Sequence, residues 1–264
     1  MTLNPTTGEW EYTLGVSDGQ KASVDALAHD SVVTETFSVS VTDKYNAVST
    51  KTITITVNGD NDRPVIGGTL SGEVTEDVHP DDNPANPITT SGTLTDGDVD
   101  IGDDHTWSIN STKGQYGNIS IDPQTGEWVY TLNNNNPTVQ GLKGVDSETL
   151  TDTFTVTVKD DSGQSDNTAT QTITVTIKGT NDAPDVKGDT SGSVIEATNA
   201  RSSATGALTV SDIDTTDSHT WTVENEDQAT GQASGTYGYM SVDDNGRWTY
   251  QLQSDWDATR EISG

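Results

Sequence analysis

Five of the nine residues from Asp96 to Asp104 are aspartates, in the order Asp96-Gly97-Asp98-Val99-Asp100-Ile101-Gly102-Asp103-Asp104. A second stretch, Asp212-Ile213-Asp214-Thr215-Thr216-Asp217, repeats the pattern: an Asp-x-Asp, then a third Asp three positions on. Carboxylates this dense in one loop repel one another, and a hard cation with oxygen ligands relieves the repulsion. Ca2+ accepts about six to eight oxygens in flexible geometry, which suits short acidic loops. The spacing departs from an EF-hand loop, because no Glu closes it. For either stretch alone, a solvated loop whose aspartates make Asx-turns is an equal alternative. The recurrence and the charge of the whole chain favour Ca2+.

That charge is extreme. The 264 residues carry 42 acidic and 12 basic side chains, a formal net charge of −30, and only 29% of them are hydrophobic. Such a chain repels nucleic acid and anionic lipid and collects cations. The absence of Cys excludes a disulfide framework, a thiolate metal site and a Cys nucleophile. Apolar runs are only a few residues long, so no segment is expected to insert in a membrane. No basic and apolar leader follows Met1. Nothing reads as catalytic: there is no Ser/His/Asp arrangement in recognisable context, no phosphate-binding glycine loop and no paired carboxylates outside the acidic loops. The chain is not expected to be an enzyme.

Low hydrophobicity with high charge flags disorder, but the order of the residues argues otherwise. Gly8-Glu9-Trp10-Glu11-Tyr12-Thr13-Leu14 returns at Gly126–Leu132 and again at Gly246–Leu252. Phe37-Ser38-Val39-Ser40-Val41 matches Phe154-Thr155-Val156-Thr157-Val158, and His105-Thr106-Trp107 matches His219-Thr220-Trp221. Gly59-Asp60-Asn61-Asp62-Arg63-Pro64 matches Gly179-Thr180-Asn181-Asp182-Ala183-Pro184, 120 positions on. A period near 120 residues is the size of a domain. With boundaries at the Asn-Asp-x-Pro segments, 1–62 is the C-terminal half of a preceding repeat. Residues 63–182 are then one complete repeat, and 183–264 the N-terminal two-thirds of a following one. The chain starts and stops within a repeat, which predicts a piece of a longer array. A permuted frame, 1–122 and 123–242, also fits.

Thr151–Val158 and Thr170–Ile177 alternate apolar and polar residues with period two, which predicts strands half-buried on one face. Thr on the other face supplies strand propensity without apolar surface. Ile119-Ser120-Ile121, the turn Asp122-Pro123-Gln124-Thr125-Gly126 and Trp128-Val129-Tyr130 predict a hairpin. Val139 with Leu142, and Val24 with Leu27, predict short helical turns plugging one end. The fold class is all-β: tandem Ig-like or cadherin-like β-sandwich domains joined end to end.

Several motifs resemble the VCBS repeats of large bacterial adhesins and related RTX-type surface proteins. They are Tyr116–Asp122, Gly126–Leu132, Leu150–Val156 and Gly179–Pro184. The resemblance implies a cadherin-like or Ig-like module of a giant, type I-secreted, calcium-dependent Gram-negative adhesin, located at the bacterial cell surface and serving adhesion and biofilm formation. The glycine-rich nonapeptide repeat of such proteins is absent, so the C-terminal secretion region is not part of this chain.

Sandwich topology gathers the acidic groups. The loops carrying Asp98, Asp100, Asp103 and Asp160 should meet the linker Asp60-Asn61-Asp62 at one pole. Glu76 should lie at the other, beside Asn181, Asp182 and the next repeat's Asp212, Asp214 and Asp217. Two interdomain Ca2+ sites are expected, the second better supplied. The function expected is a structural extender whose partners are neighbouring repeats of the same chain. The alternative is a module binding a glycan or surface protein through two insertions, Asp77–Thr90 and Glu224–Ser234, with Trp256 as the aromatic to check for exposure. His105 and His219 are expected to be structural, or partners of an Asp. The half-repeats at both ends also predict strand complementation between chains.

Overall fold

The computed structural model describes residues 1–76, 88–144, 148–195, 202–214, 217–227 and 230–253. Trp256 and most of the Asp77–Thr90 insertion therefore lie outside the described residues. The chain divides into two compact units. One comprises Met1–Thr75, Pro84–Asn133 and Thr149–Ile177; the other comprises Glu76–Asn83, Asn134–Glu148 and Lys178–Gly264.

The elements follow the repeats. Ahead of the first linker come β1 (Thr2–Leu3), β2 (Trp10–Glu11), α1 (Asp18–Asp25), β3 (Val32–Thr42) and β4 (Val48–Asn58). Then come β5 (Ile66–Gly68), β6 (Ser71–Thr75), β7 (Thr89–Asp96), β8 (His105–Ile109), β9 (Gly117–Ile121), β10 (Glu127–Leu132), α2 (Pro137–Gln140), β11 (Thr149–Asp160) and β12 (Thr168–Lys178). After the second linker follow β13 (Asp185–Gly188), β14 (Ser203–Ser211), β15 (Glu226–Asp227), β16 (Gln232–Ser234), β17 (Gly238–Val242) and β18 (Arg247–Leu252). No helix among the described residues is long and apolar enough to cross a membrane.

The middle repeat is a sandwich of two four-stranded sheets, ordered β5-β7-β10-β9 and β6-β12-β11-β8. Period-two alternation builds it. Phe154, Val156 and Val158 of β11 and Ile173, Val175 and Ile177 of β12 are all buried, while the intervening threonines face out or sit at the margin. Trp128, Tyr130, Leu94 and Ile119 supply the facing layer. The Tyr130 and Phe154 rings meet across it, centroids 6.0 Å apart. The polar tips are satisfied: Trp128 Nε1 donates to the Thr69 carbonyl at 2.9 Å, and the Tyr130 hydroxyl donates to Asp152 Oδ2 at 2.8 Å. Asp152, buried in β11, also accepts the backbone N–H of Gln115 and Tyr116 at 2.8 and 3.1 Å.

The hairpin turn recurs for a chemical reason. Asp122 Oδ1 accepts the N–H of Gln124 and Thr125, and Asn4 Oδ1 accepts those of Thr6 and Thr7. Asp243 Oδ1 does likewise for Asn245 and Arg247. Each turn then closes through a left-handed glycine, Gly8, Gly126 or Gly246, a conformation that carries no steric penalty without a Cβ.

Two elements differ from the sequence expectation. α1 is an eight-residue helix, longer than a helical turn, because Ser17 Oγ caps it by accepting the Gln20 N–H. Val24 and Leu27 are only half-buried at its end, whereas Val139 and Leu142 are buried at α2. The Glu224–Ser234 insertion contributes β15 and β16, which extend the C-terminal sheet to six strands in the order β13-β14-β18-β17-β16-β15.

Candidate metal centre

The first linker is held beside the acidic loop by backbone chemistry. Gly59 lies so close to the carbonyls of Leu27 and Ala28 that any side chain would collide with them. The chain then turns through Asp60, Asn61 and Asp62, where Asn61 Nδ2 donates to the Asp62 carbonyl at 2.9 Å. The Asp62 N–H donates to Asp100 Oδ2 at 2.7 Å. Within the β7–β8 loop, the Asp100 N–H donates to Asp98 Oδ1 at 3.1 Å, an Asx-turn that aims both carboxylates inward. The other Asp98 oxygen lies 3.1 Å from His105 Nε2. Asp160, at the end of β11, accepts from Ser162 N and Oγ through Oδ1 and from Asn61 Nδ2 through Oδ2, the last at 3.4 Å.

Ligand oxygens of Asp98, Asp103 and Asp160 lie within 4.8 Å of one another. Asn61 Oδ1, Asp100 Oδ1 and Asp103 Oδ2 are buried and meet no hydrogen-bond donor among the described residues. Burial first, then the surrounding carboxylates, pushes Asp62, Asp100 and Asp103 above the usual aspartate range; for Asp100 the Asp62 N–H offsets part of this. Burial works against a charged His105, yet its bond to Asp98 and the nearby negative charge raise it.

The second linker repeats the frame in the other unit. Gly179 packs against the Leu142 backbone with no room for a side chain. Asn181 Nδ2 donates to the Asp182 carbonyl, and the Asp182 N–H donates to Asp214 Oδ2, both at 2.8 Å. The Asp214 N–H reaches Asp212 Oδ1 at 3.0 Å, and Asp212 Oδ2 lies 2.8 Å from His219 Nε2. The His219 bond holds Asp212 below the usual range. Asp214 is fully buried, its Oδ1 meets no donor among the described residues, and burial raises it. Glu76 joins this frame: Oε1 accepts Thr180 N and Oγ1 at 2.6 Å each, and Oε2 accepts Gln140 Nε2 at 2.8 Å. Burial raises Glu76 too, with Asp182 and Asp214 adding to the effect and Thr180 opposing it.

All thirteen acidic and amide residues singled out in the sequence fall in these two frames. Within them Asp60 is peripheral, touching the cluster through its contact with the Asn61 N–H. Asp217 is held by Lys143 Nζ at 3.3 Å, so it is partly neutralised already. Sequence reading passed over Asp166, which takes an Asn61 Nδ2 hydrogen bond at 3.4 Å, and Asp25, whose charge reaches Asp62. Asp166 had one legible signal, its place in the loop that follows Asp160. Asp25 had none, since α1 brings it near by tertiary packing. The donor set fits a hard cation: carboxylate and amide oxygens with no sulfur, several of them buried and bare.

Residues 61–178 match the family described as the bacterial cadherin-like domain. The fold is thus all-β and cadherin-like, with the matched segment coinciding with the complete sandwich. No protein with a curated description matches the chain. Among solved structures, the protocadherin GammaB4 extracellular domain is similar at 15% identity and a TM-score of 0.43, over 87% of this chain and 32% of its own. Drosophila N-cadherin EC1-4 is similar at 17% identity and a TM-score of 0.34, over 85% and 50%. Zebrafish RET cadherin-like domains 1 to 4 are similar at 11% identity and a TM-score of 0.24, over 84% and 50%. This chain spans a third to a half of the length of those structures.

Proposed function

We propose that this chain is an extender segment of a bacterial cell-surface adhesin of the VCBS and RTX type, in which Ca2+ stiffens the junctions between the repeats 1–62, 63–182 and 183–264. Asn61, Asp62, Asp98, Asp100, Asp103 and Asp160, with Asp60 at the edge, would hold the ion at one junction. Glu76, Asn181, Asp182, Asp212, Asp214 and Asp217 would hold it at the other. The observation that carries the reading is the duplicated frame: at both linkers an Asp N–H pins a buried aspartate whose second oxygen is left bare. A bare buried carboxylate costs free energy in the metal-free chain, and a cation that binds only the folded junction returns it as stability. On this reading the chain is exported unfolded where Ca2+ is scarce and folds outside the cell, projecting an adhesive tip.

The test is small-angle scattering of the chain in Ca2+ and then in excess EGTA, with a melting curve in each. The expected result is a longer, stiffer particle and a higher melting temperature with Ca2+. Superposable scattering profiles and identical melting temperatures would overturn the proposal.

A further inference from the structure

The two linker frames differ in one cation. In the first, Asp103 is the third aspartate of the loop. Its Oδ2 is buried without a donor among the described residues, and it clusters with Asp98 and Asp160. In the second, the corresponding aspartate is Asp217, and Lys143 Nζ stands 3.3 Å from its Oδ1. Laying Val24-Asp25-Ala26-Leu27-Ala28 on Val139-Gln140-Gly141-Leu142-Lys143 puts Ala28 where Lys143 stands. The same place after the helix therefore carries a methyl group at one linker and an ammonium at the other.

The fold sets that ammonium beside the acidic loop. Val139 and Leu142 are buried at the end of α2, and Gly179 packs on the Leu142 carbonyl, so the residue after Leu142 emerges at the linker. Lys143 precedes the Asn181–Pro184 segment and Asp217 follows it, so the pair closes across the linker. Their side chains are 20% and 27% exposed, which spares the pair much of the solvent screening that weakens surface ion pairs. The charge of Lys143 also reaches Asp214. Burial raises that carboxyl, with Asp212 and Asp217 adding to the effect, whereas the Asp182 N–H and the Lys143 ammonium oppose it. Asp214 is nevertheless fully buried with an Oδ1 that meets no donor among the described residues. One ammonium thus satisfies part of the acidic set and leaves the rest for a second cation.

We propose that Lys143 is a resident cation of the second junction, holding its acidic loop when Ca2+ is absent and competing with Ca2+ when it is present. This rests on the reading of the linker frames as Ca2+ junctions. The ammonium offers one positive charge and only donors, so it closes Asp217 in the metal-free chain. A Ca2+ ion held at Asp214 is repelled by that charge, and it can take Asp217 as well only if the ammonium leaves. The second junction then binds Ca2+ more weakly than its carboxylates alone would allow, and stays better ordered without it.

The test uses the whole chain with Lys143→Met, Lys143→Arg and a control for net charge, Lys51→Met, at an exposed residue of β4 that belongs to neither frame. Each is read by a melting curve in EGTA and by calorimetric titration with CaCl2. In EGTA, Lys143→Met is expected to melt below Lys51→Met, while Lys143→Arg stays with wild type. In the titration, Lys143→Met is expected to tighten one Ca2+ step at least about threefold, a change absent from the other two variants. Loss of an ordinary surface ion pair does not produce that combination of opposite effects. If the chain binds Ca2+ and Lys143→Met matches Lys51→Met in both measurements, this inference falls and the junction reading stands. Weaker Ca2+ binding by Lys143→Met also overturns it, because the ammonium would then support the metal site; so does either expected effect without the other. A chain that binds no Ca2+ in any variant overturns the junction reading, and the competition with it.

Discussion

Asp100 and Asp214 each take a linker N–H on one oxygen and leave the other bare and buried. A carboxylate so placed is unfavourable without a cation and a strong ligand with one. Asp100→Asn should therefore act in opposite directions in two buffers. In EGTA it removes repulsion, and the melting temperature should hold or rise. In Ca2+ it removes a ligand charge, and affinity at that junction should fall at least about tenfold. Calorimetric titration with paired melting curves checks both, and a fall in EGTA with unchanged calcium affinity would make Asp100 purely structural. Asp152 contrasts with these. It is buried yet fully engaged, by the Tyr130 hydroxyl and two backbone N–H groups. Asp152→Ala strands those donors and should cost about 3 kcal/mol or more in urea denaturation. Asp152→Asn keeps one oxygen acceptor and should cost about half as much.

At the scale of elements, the sandwich depends on aromatic rings packed closely against glycines. A Cβ at Gly92 would come within 2.8 Å of Trp128 Cζ2 and 2.7 Å of Thr69 Cβ, so both neighbours would have to move. Gly92→Ala should destabilise by about 1–3 kcal/mol, read from chemical denaturation, since overpacking displaces side chains from their rotamers. A melting curve unchanged from wild type would mean that β7 and β10 tolerate a shift. β11 and β12 could be read from sequence because a Thr-spaced apolar row has one periodicity and one outcome. The Asn-Asp-x-Pro segments stood out because the motif recurs 120 positions apart. Other elements gave no such signal. α1 has no apolar stripe and owes its length to the Ser17 cap. β15 and β16 lack apolar alternation and become strands by extending an existing edge. Asp152 looked like one more solvent-facing polar residue in a Thr-rich strand, and only the fold brings Tyr130 and the Gln115–Tyr116 backbone to it.

For the whole molecule, 42 acidic groups against 12 basic ones make pH a probe of the junctions. Asp62, Asp100, Asp103, Glu76 and Asp214 are raised first by burial and then by the carboxylates beside each of them. A carboxylate raised on folding binds its proton more tightly in the folded chain. Its contribution to stability is then fully present below the ordinary carboxylate range and is lost as pH rises through the raised value. Raised His105 has the same sign, with a window that starts at the ordinary His value. Asp122 and Asp212 are lowered, so their contribution is present above the ordinary range and is lost only at more acid pH. In EGTA, then, the melting temperature should rise as pH falls from neutral toward about 5. Ca2+ must compete with protons for the same oxygens, so in Ca2+ the melting temperature should fall over that interval. The two curves should converge on acidification. Added NaCl should raise the EGTA curve more than the calcium curve, because an ion already at the junction leaves less repulsion to screen. Parallel curves with one common salt response would mean that the buried carboxylates titrate without reference to the metal, and the stiffening at the linkers would then need another cause.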